Sequence, residues 1–150
     1  MTDLDIAPPT LAYRWRHSTL LPITHVQTVR LDDLLGIERQ KAALVQNVQQ
    51  FVQGRPSNHV LLTGSRGTGK SSLVKALLTR FAPEGLRVVE VHPQDLLDLP
   101  DVVGPLRERD ERFLLYVDDF SVANNDRALT ALKTALDGGI EEPAGNVLIV

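Results

Sequence analysis

The sequence predicts an α/β protein in three layers, a parallel sheet with helices on both faces. Three observations carry that prediction. Short apolar or β-branched runs at 59–63, 87–91, 113–117 and 146–150 alternate with stretches of helical periodicity, the order that βαβ units produce. The first run leads at once into a glycine-rich turn and then a helix, as a buried parallel strand does. Hydrophobic residues make up 43% and charged residues 23% of the 150, enough for one domain with a sizeable core and unlike a disordered or fibrous chain.

Taken in order, residues 1–10 are polar and proline-bearing and read as a loose leader, and residues 11–31 read as irregular, broken by Pro22. Residues 1–30 are therefore expected to form an N-terminal arm and 31–150 the folded domain. Asp32 or Asp33 suits a helix cap, with Gly36 making a start near Ile37 equally acceptable. From there Ile37, Leu44, Val45, Val48, Phe51 and Val52 recur at helical spacing until Gly54-Arg55-Pro56 stops them. A second helix over 72–81 places Leu73, Ala76, Leu77 and Phe81 on one face and closes at Pro83 to Gly85. The leucine-rich connection 95–109, interrupted by Pro100, Gly104 and Pro105, is expected to hold only short helical turns. A helix capped by Asn124, Asn125 or Asp126 carries Leu129, Leu132 and Leu136 to Gly138-Gly139.

Charge and composition exclude several classes. Sixteen basic and 19 acidic side chains leave a formal charge of −3, so the chain does not coat nucleic acid by bulk charge, although a local basic face stays open. The absence of cysteine removes disulfides, thiolate metal sites and a cysteine nucleophile together. No basic start followed by an apolar run is present, and no apolar run is long enough to cross a bilayer. The expected compartment is the cytoplasm, with no membrane partner.

Gly64-Ser65-Arg66-Gly67-Thr68-Gly69-Lys70-Ser71 fits GxxxxGK[ST], the Walker A pattern, without mismatch and between an expected strand and an expected helix. For a chain of this composition roughly 0.002 such matches arise by chance. The glycines let the backbone curl so that successive amide hydrogens point inward, and the helix that follows adds its partial positive N-terminus. Gly64, Gly67, Thr68, Gly69 and Ser72 thus contribute to a phosphate cradle, Lys70 brings a full charge to the β- and γ-phosphates, and the Ser71 hydroxyl is placed to ligate Mg²⁺.

The strand 113–117 ends on Asp118-Asp119, the form of a Walker B segment. Asp118 would hold Mg²⁺ opposite Ser71 and Asp119 would polarise the attacking water, since phosphoryl transfer asks a protein mainly for positioning and charge stabilisation. The plainer reading is a solvated strand end. One complete strand, 87–91, separates the two motif-bearing strands, which favours P-loop ATPases with an inserted strand over small GTPases and simple nucleoside kinases. No Asn-Lys-x-Asp guanine signature is present, so adenine is the expected base.

Three segments in the expected order resemble the AAA+ type of P-loop ATPase: Leu31-Asp32-Asp33-Leu34-Leu35-Gly36-Ile37-Glu38-Arg39-Gln40, the phosphate loop and the acidic strand. More closely, from about residue 12 onward the chain resembles a bacterial family of AAA+-like ATP-binding proteins. The stretches that carry the likeness include Tyr13-Arg14-Trp15-Arg16, Phe51-Val52-Gln53-Gly54-Arg55-Pro56 and Asp118-Asp119-Phe120-Ser121. The resemblance implies that Gly36 and Ile37 flank adenine, that ATP and Mg²⁺ are the cofactors, and that copies associate in an AAA+-type oligomer. It also implies ATP hydrolysis coupled to remodelling of a partner. Asp119 departs from the glutamate most AAA+ members carry, and the sensor residue, arginine finger, fifth strand and helical lid of that class would follow Val150. The expectation is therefore a domain truncated before its fifth strand and lid. A second reading follows from those departures, a nucleotide-dependent switch or DNA-associated loader that binds ATP without hydrolysing it on its own.

Tyr13-Arg14-Trp15-Arg16-His17 interleaves cations with aromatic rings as a single-strand nucleic-acid platform does. The favoured reading is that Tyr13 and Trp15 anchor the arm by packing. The four histidines show no ligand spacing, and the charged run 98–112 reads as a solvated face.

Overall fold

The computed structural model describes residues 10–55, 57, 70–117, 130 and 147–149. Among these, β1 (Ala12–Arg16), β2 (Thr19–Ile23), β3 (Leu86–Val91), β4 (Arg112–Val117) and β5 (Val147–Ile149) form one sheet in the order β2-β1-β3-β4-β5. β1, β3, β4 and β5 run parallel, and β2 returns antiparallel along β1. The sheet is mixed and mostly parallel, with an antiparallel edge strand. The expected strand 59–63, the acidic pair, and the helix after Asn124 apart from helical Thr130 lie outside the described residues.

The N-terminal segment departs from expectation. Residues 11–31 read as irregular, yet they supply two strands of the sheet. His17 and Ser18 link them at φ 50° and 59°, the left-handed pair that lets a two-residue hairpin match strand twist. Neither residue is the usual glycine or asparagine, and Pro22 argued against a strand. Pro22 pairs with Tyr13 on an edge strand, where a missing N–H breaks no interior ladder. β1 then hydrogen-bonds to β3, with Ala12, Tyr13 and Arg14 opposite Val88, Val89 and Glu90.

α1 spans Glu38–Val52 and buries Leu44, Val48 and Phe51 along one stripe. Asp32 and Asp33 do not cap it. They sit in a separate 3₁₀ turn, Leu31–Asp33, set apart by Gly36 at φ 83°. The helix ends in a Schellman motif: the Arg55 amide reaches the Gln50 carbonyl at 2.8 Å and the Gly54 amide the Phe51 carbonyl at 3.1 Å, with Gly54 at φ 75°. α2 spans Lys70–Phe81 and buries Leu73, Val74, Ala76, Leu77, Leu78 and Phe81. α1, α2 and the even-numbered side chains of the strands, such as Ala12, Val88, Leu114 and Leu148, form one apolar cluster.

The opposite face belongs to the connection 93–107. Instead of short turns it forms a 3₁₀ stretch, Pro93–Asp98, running directly into α3, Leu99–Arg107. Pro100 falls in the first turn, where its missing N–H costs nothing, and Pro105 sits inside the helix. Packing outweighs that defect. Leu96, Leu99, Val102 and Leu106 are sealed against Trp15, Val89, Phe113, Leu115 and Val147 in a second cluster. The charged run 98–112 is therefore solvated on its outer side only. Inside, Asp98 accepts the Trp15 indole N–H at 3.1 Å, while nearer the surface Glu111 meets Arg109 at 2.7 Å and Arg87 at 3.6 Å.

Candidate functional site

Of the residues predicted to bind nucleotide, Gly64, Gly67, Thr68 and Gly69, with Asp118 and Asp119, lie outside the described residues. Gly36, Ile37, Ser71, Ser72 and the backbone of Lys70 lie within them. α2 begins at Lys70, so Ser71 and Ser72 occupy its first turn. β4 ends on Val117, directly before Asp118, at the carboxyl edge of the parallel strands. Open α/β sheets bind ligands at that edge.

One cavity lies beside the start of α2 and the end of β4. Ser71 lines it together with Tyr116, two residues ahead of Asp118, with Arg14 from the middle of β1 and with Glu90 near the carboxyl end of β3. The cavity holds about 370 Å³. Arg14 and Glu90 are register partners on the adjacent strands β1 and β3, and the Arg14 Nε and Nη2 both reach Glu90 Oε2 at 3.3 Å. With side-chain exposures of 43% and 35%, the pair contributes at most about 1 kcal/mol.

The 31–37 segment is held in place from both ends. Lys41 Nζ donates to the carbonyls of Leu31 at 2.9 Å and Leu34 at 3.0 Å, pinning the turn to α1. The Gly36 N–H donates to Glu38 Oε1 at 3.1 Å. Hydrogen bonds from the Glu38 and Gly36 backbone amides hold the Glu38 carboxyl below its ordinary value. Lys41 adds a smaller pull the same way, while slight desolvation opposes it. Leu31, Leu34 and Ile37 pack on the cluster beneath α1 and α2, and the Leu31–Asp33 turn abuts α2. The segment is thus fixed relative to the helix that carries Lys70 and Ser71, while Leu35 stands 81% exposed between its anchors.

The sequence does not single out Lys41, Glu90 or Lys75 as site residues, and it offers Arg14 only within the aromatic cluster. Lys41 acts through carbonyls, which leave no side-chain pattern to read. Arg14 and Glu90 are 76 positions apart and become neighbours only because the hairpin joins the sheet. The aromatic cluster, in contrast, behaves as the packing reading expects, with Trp15 only 5% exposed.

Among the described residues no helix is long and apolar enough to cross a membrane. A stretch of 65 residues is 32% identical to the replication factor C large subunit of Methanococcus maripaludis. That match covers 43% of this chain and 13% of the relative, so the chain spans a small part of that protein's length. A family model described as "Protein of unknown function (DUF815)" matches residues 9–150, nearly the whole chain, and the chain belongs to that family.

Proposed function

We propose that this chain is an AAA+-type ATP-binding P-loop module that hydrolyses ATP with Mg²⁺ and uses the energy to remodel a partner in the cytoplasm. The observation that carries the reading is that α2 begins at Lys70, at the end of the Walker A pattern, and that β4 ends on Val117, directly before the acidic pair, at the carboxyl edge of the parallel strands. Similarity to a replication factor C large subunit supports the AAA+ relationship, and the mostly parallel sheet is compatible with a P-loop fold.

In this reading the amides of Gly64, Gly67, Thr68, Gly69 and Ser72 cradle the phosphates, and Lys70 neutralises the β- and γ-phosphates. Ser71 and Asp118 hold the metal. A hydroxyl and a carboxylate are the hard oxygen donors Mg²⁺ prefers. Bound Mg²⁺ supplies charge neutralisation between the phosphates. Asp119 orients the attacking water, while Gly36 and Ile37, fixed by Lys41 and Glu38, flank the adenine. Copies associate as AAA+ proteins do. Titration of ATP against wild type and Lys70→Ala tests the core of this reading, with an affinity loss of about tenfold or more expected for removal of a charged phosphate contact. Equal affinities would overturn it.

A second reading is favoured by one residue, Asp119 in place of the AAA+ glutamate. It makes the chain a nucleotide-dependent switch or DNA-associated loader that does not hydrolyse ATP on its own. Steady-state turnover that is first order in this chain and abolished by Asp119→Asn would reject it.

A further inference from the structure

The N-terminal hairpin widens the sheet past α2, and the widened part is not filled on both faces. On the side of α2, β1 presents the small Ala12 and the polar Arg14, while its bulky Tyr13 and Trp15 pack on the other face. The space left over Ala12 and Val88, walled by Val74 and Leu78 of α2 and roofed by Ile23 and Val26, is the cavity of about 370 Å³. That volume falls in the small-ligand range of about 300–1,000 Å³, with the usual apolar interior and a few convergent polar groups.

The polar groups are unbalanced in charge. Arg14 and Lys75 line the cavity against a single carboxylate, Glu90. Both described Arg14 bonds end on one oxygen, Glu90 Oε2, although a guanidinium carries five N–H donors. Lys75, one helical turn after Ser71, donates at 2.9 Å to Oε1 of Gln27, a neutral amide on the segment that roofs the cavity. An anionic group offers Lys75 a charge-assisted bond, which is stronger than the amide it would displace.

We propose that this cavity is a second ligand site, separate from the phosphate loop, which takes a small organic anion: an apolar body on Ala12, Val88, Val74 and Leu78, and a carboxylate or phosphate head at Lys75 and Arg14. Ser71, the last residue of the Walker A pattern, lines the same cavity, but the two cations that would hold the anion, Lys75 and Arg14, lie outside that pattern. The site exists because the hairpin joins the sheet, so it does not rest on the nucleotide reading.

Amide shifts of the ¹⁵N-labelled chain during titration with benzoate, phenyl phosphate and benzyl alcohol test the site. At least one of the two anions is expected to shift the amides of Ala12, Val74 and Val88. Benzyl alcohol, which has the ring without the charge, is expected to bind at least ~10-fold more weakly, the scale of one charge-assisted contact. Which anion binds tells a carboxylate site from a phosphate site. Lys75→Glu is expected to cost ~10-fold or more, Lys75→Arg less than about threefold, and Lys70→Ala nothing. The half-buried position of Lys75 on α2 and the retention of binding in Lys75→Arg separate loss of the site from loss of the fold. No shift at these amides would overturn the proposal, and so would benzyl alcohol binding as tightly as the anions. Anion binding lost in Lys70→Ala but kept in Lys75→Glu would also overturn it, because the anion would then sit on the phosphate loop.

Discussion

The two faces of one strand behave oppositely. On the α3 side of β1, Trp15 fills its space, is 5% exposed, and gives its indole N–H to Asp98. On the α2 side, two residues of the same strand, Ala12 and Arg14, leave a cavity and place a cation at its rim. The closed face holds the hairpin to the domain, and the open face gives the same hairpin something to bind. A strand that alternates large apolar with small or charged residues does both at once, since successive side chains point to opposite faces.

The largest effect falls on the closed face. Trp15→Ala removes the largest side chain of that cluster along with its hydrogen bond, and should cost about 3–5 kcal/mol in urea unfolding. A cost below about 1 kcal/mol would mean that the hairpin is held by its backbone ladder alone, and the contrast between the faces would lose its basis.

The next effect falls where α1 docks on the open side. Gly54 sits at φ 75°, and a Cβ there would lie 3.2 Å from Nη2 of Arg112, whose guanidinium stacks 5.7 Å from the Phe51 ring centre. Gly54→Ala should therefore cost about 1–2 kcal/mol from the left-handed backbone, with a further increment if Arg112 cannot shift off Phe51. A neutral result in thermal unfolding would show that the Schellman end can relax.

Ala12→Val probes the open face directly. Two added methyl groups enter unfilled space on a strand that favours β-branching, so stability should change by no more than about 0.5 kcal/mol. Overpacking of a filled core costs about 1–3 kcal/mol. A loss of that size at Ala12 would show that the face is closed there as well.

How much was legible in the sequence follows the range of the forces involved. α2, β3 and β4 and the end of α1 were readable within a residue or two because their apolar periodicity is local, whereas the start of α1 stayed open between Asp32 and Ile37. The hairpin was not, since its turn is His17-Ser18 and its second strand contains Pro22; pairing with β3, supplied by residues more than seventy positions away, decides its structure. α3 was hidden for a similar reason. Pro100, Gly104 and Pro105 forecast breaks, while burial of Leu99, Val102 and Leu106 against the sheet holds the helix together. In the candidate site the motif residues stood out from their pattern, whereas the groups that position them had no pattern. Lys41 works through the carbonyls of Leu31 and Leu34.

The smallest effect lies at the start of α1, where the open face meets the 31–37 segment. The Glu38 carboxyl takes the Gly36 N–H and sits below its ordinary value of 4.5 because backbone amides stabilise the charged form. A group whose folded value is depressed contributes stability that is fully present above the unfolded value and is lost as pH falls through the folded one. The contribution therefore fades from just above pH 4.5 downward. Glu38 is fully exposed, which keeps the effect slight. Glu38→Gln should flatten the acid limb of the stability curve over that window and leave the neutral plateau nearly unchanged, because glutamine can still accept the Gly36 N–H. If the proposed ATP site is right, then because Glu38 and Lys41 brace the same segment the variant should also leave ATP affinity close to wild type as long as Lys41 holds the Leu31 and Leu34 carbonyls. If Glu38→Gln weakened ATP binding at neutral pH as much as Lys41→Met did, the carboxylate rather than the ammonium would be the group that fixes the segment.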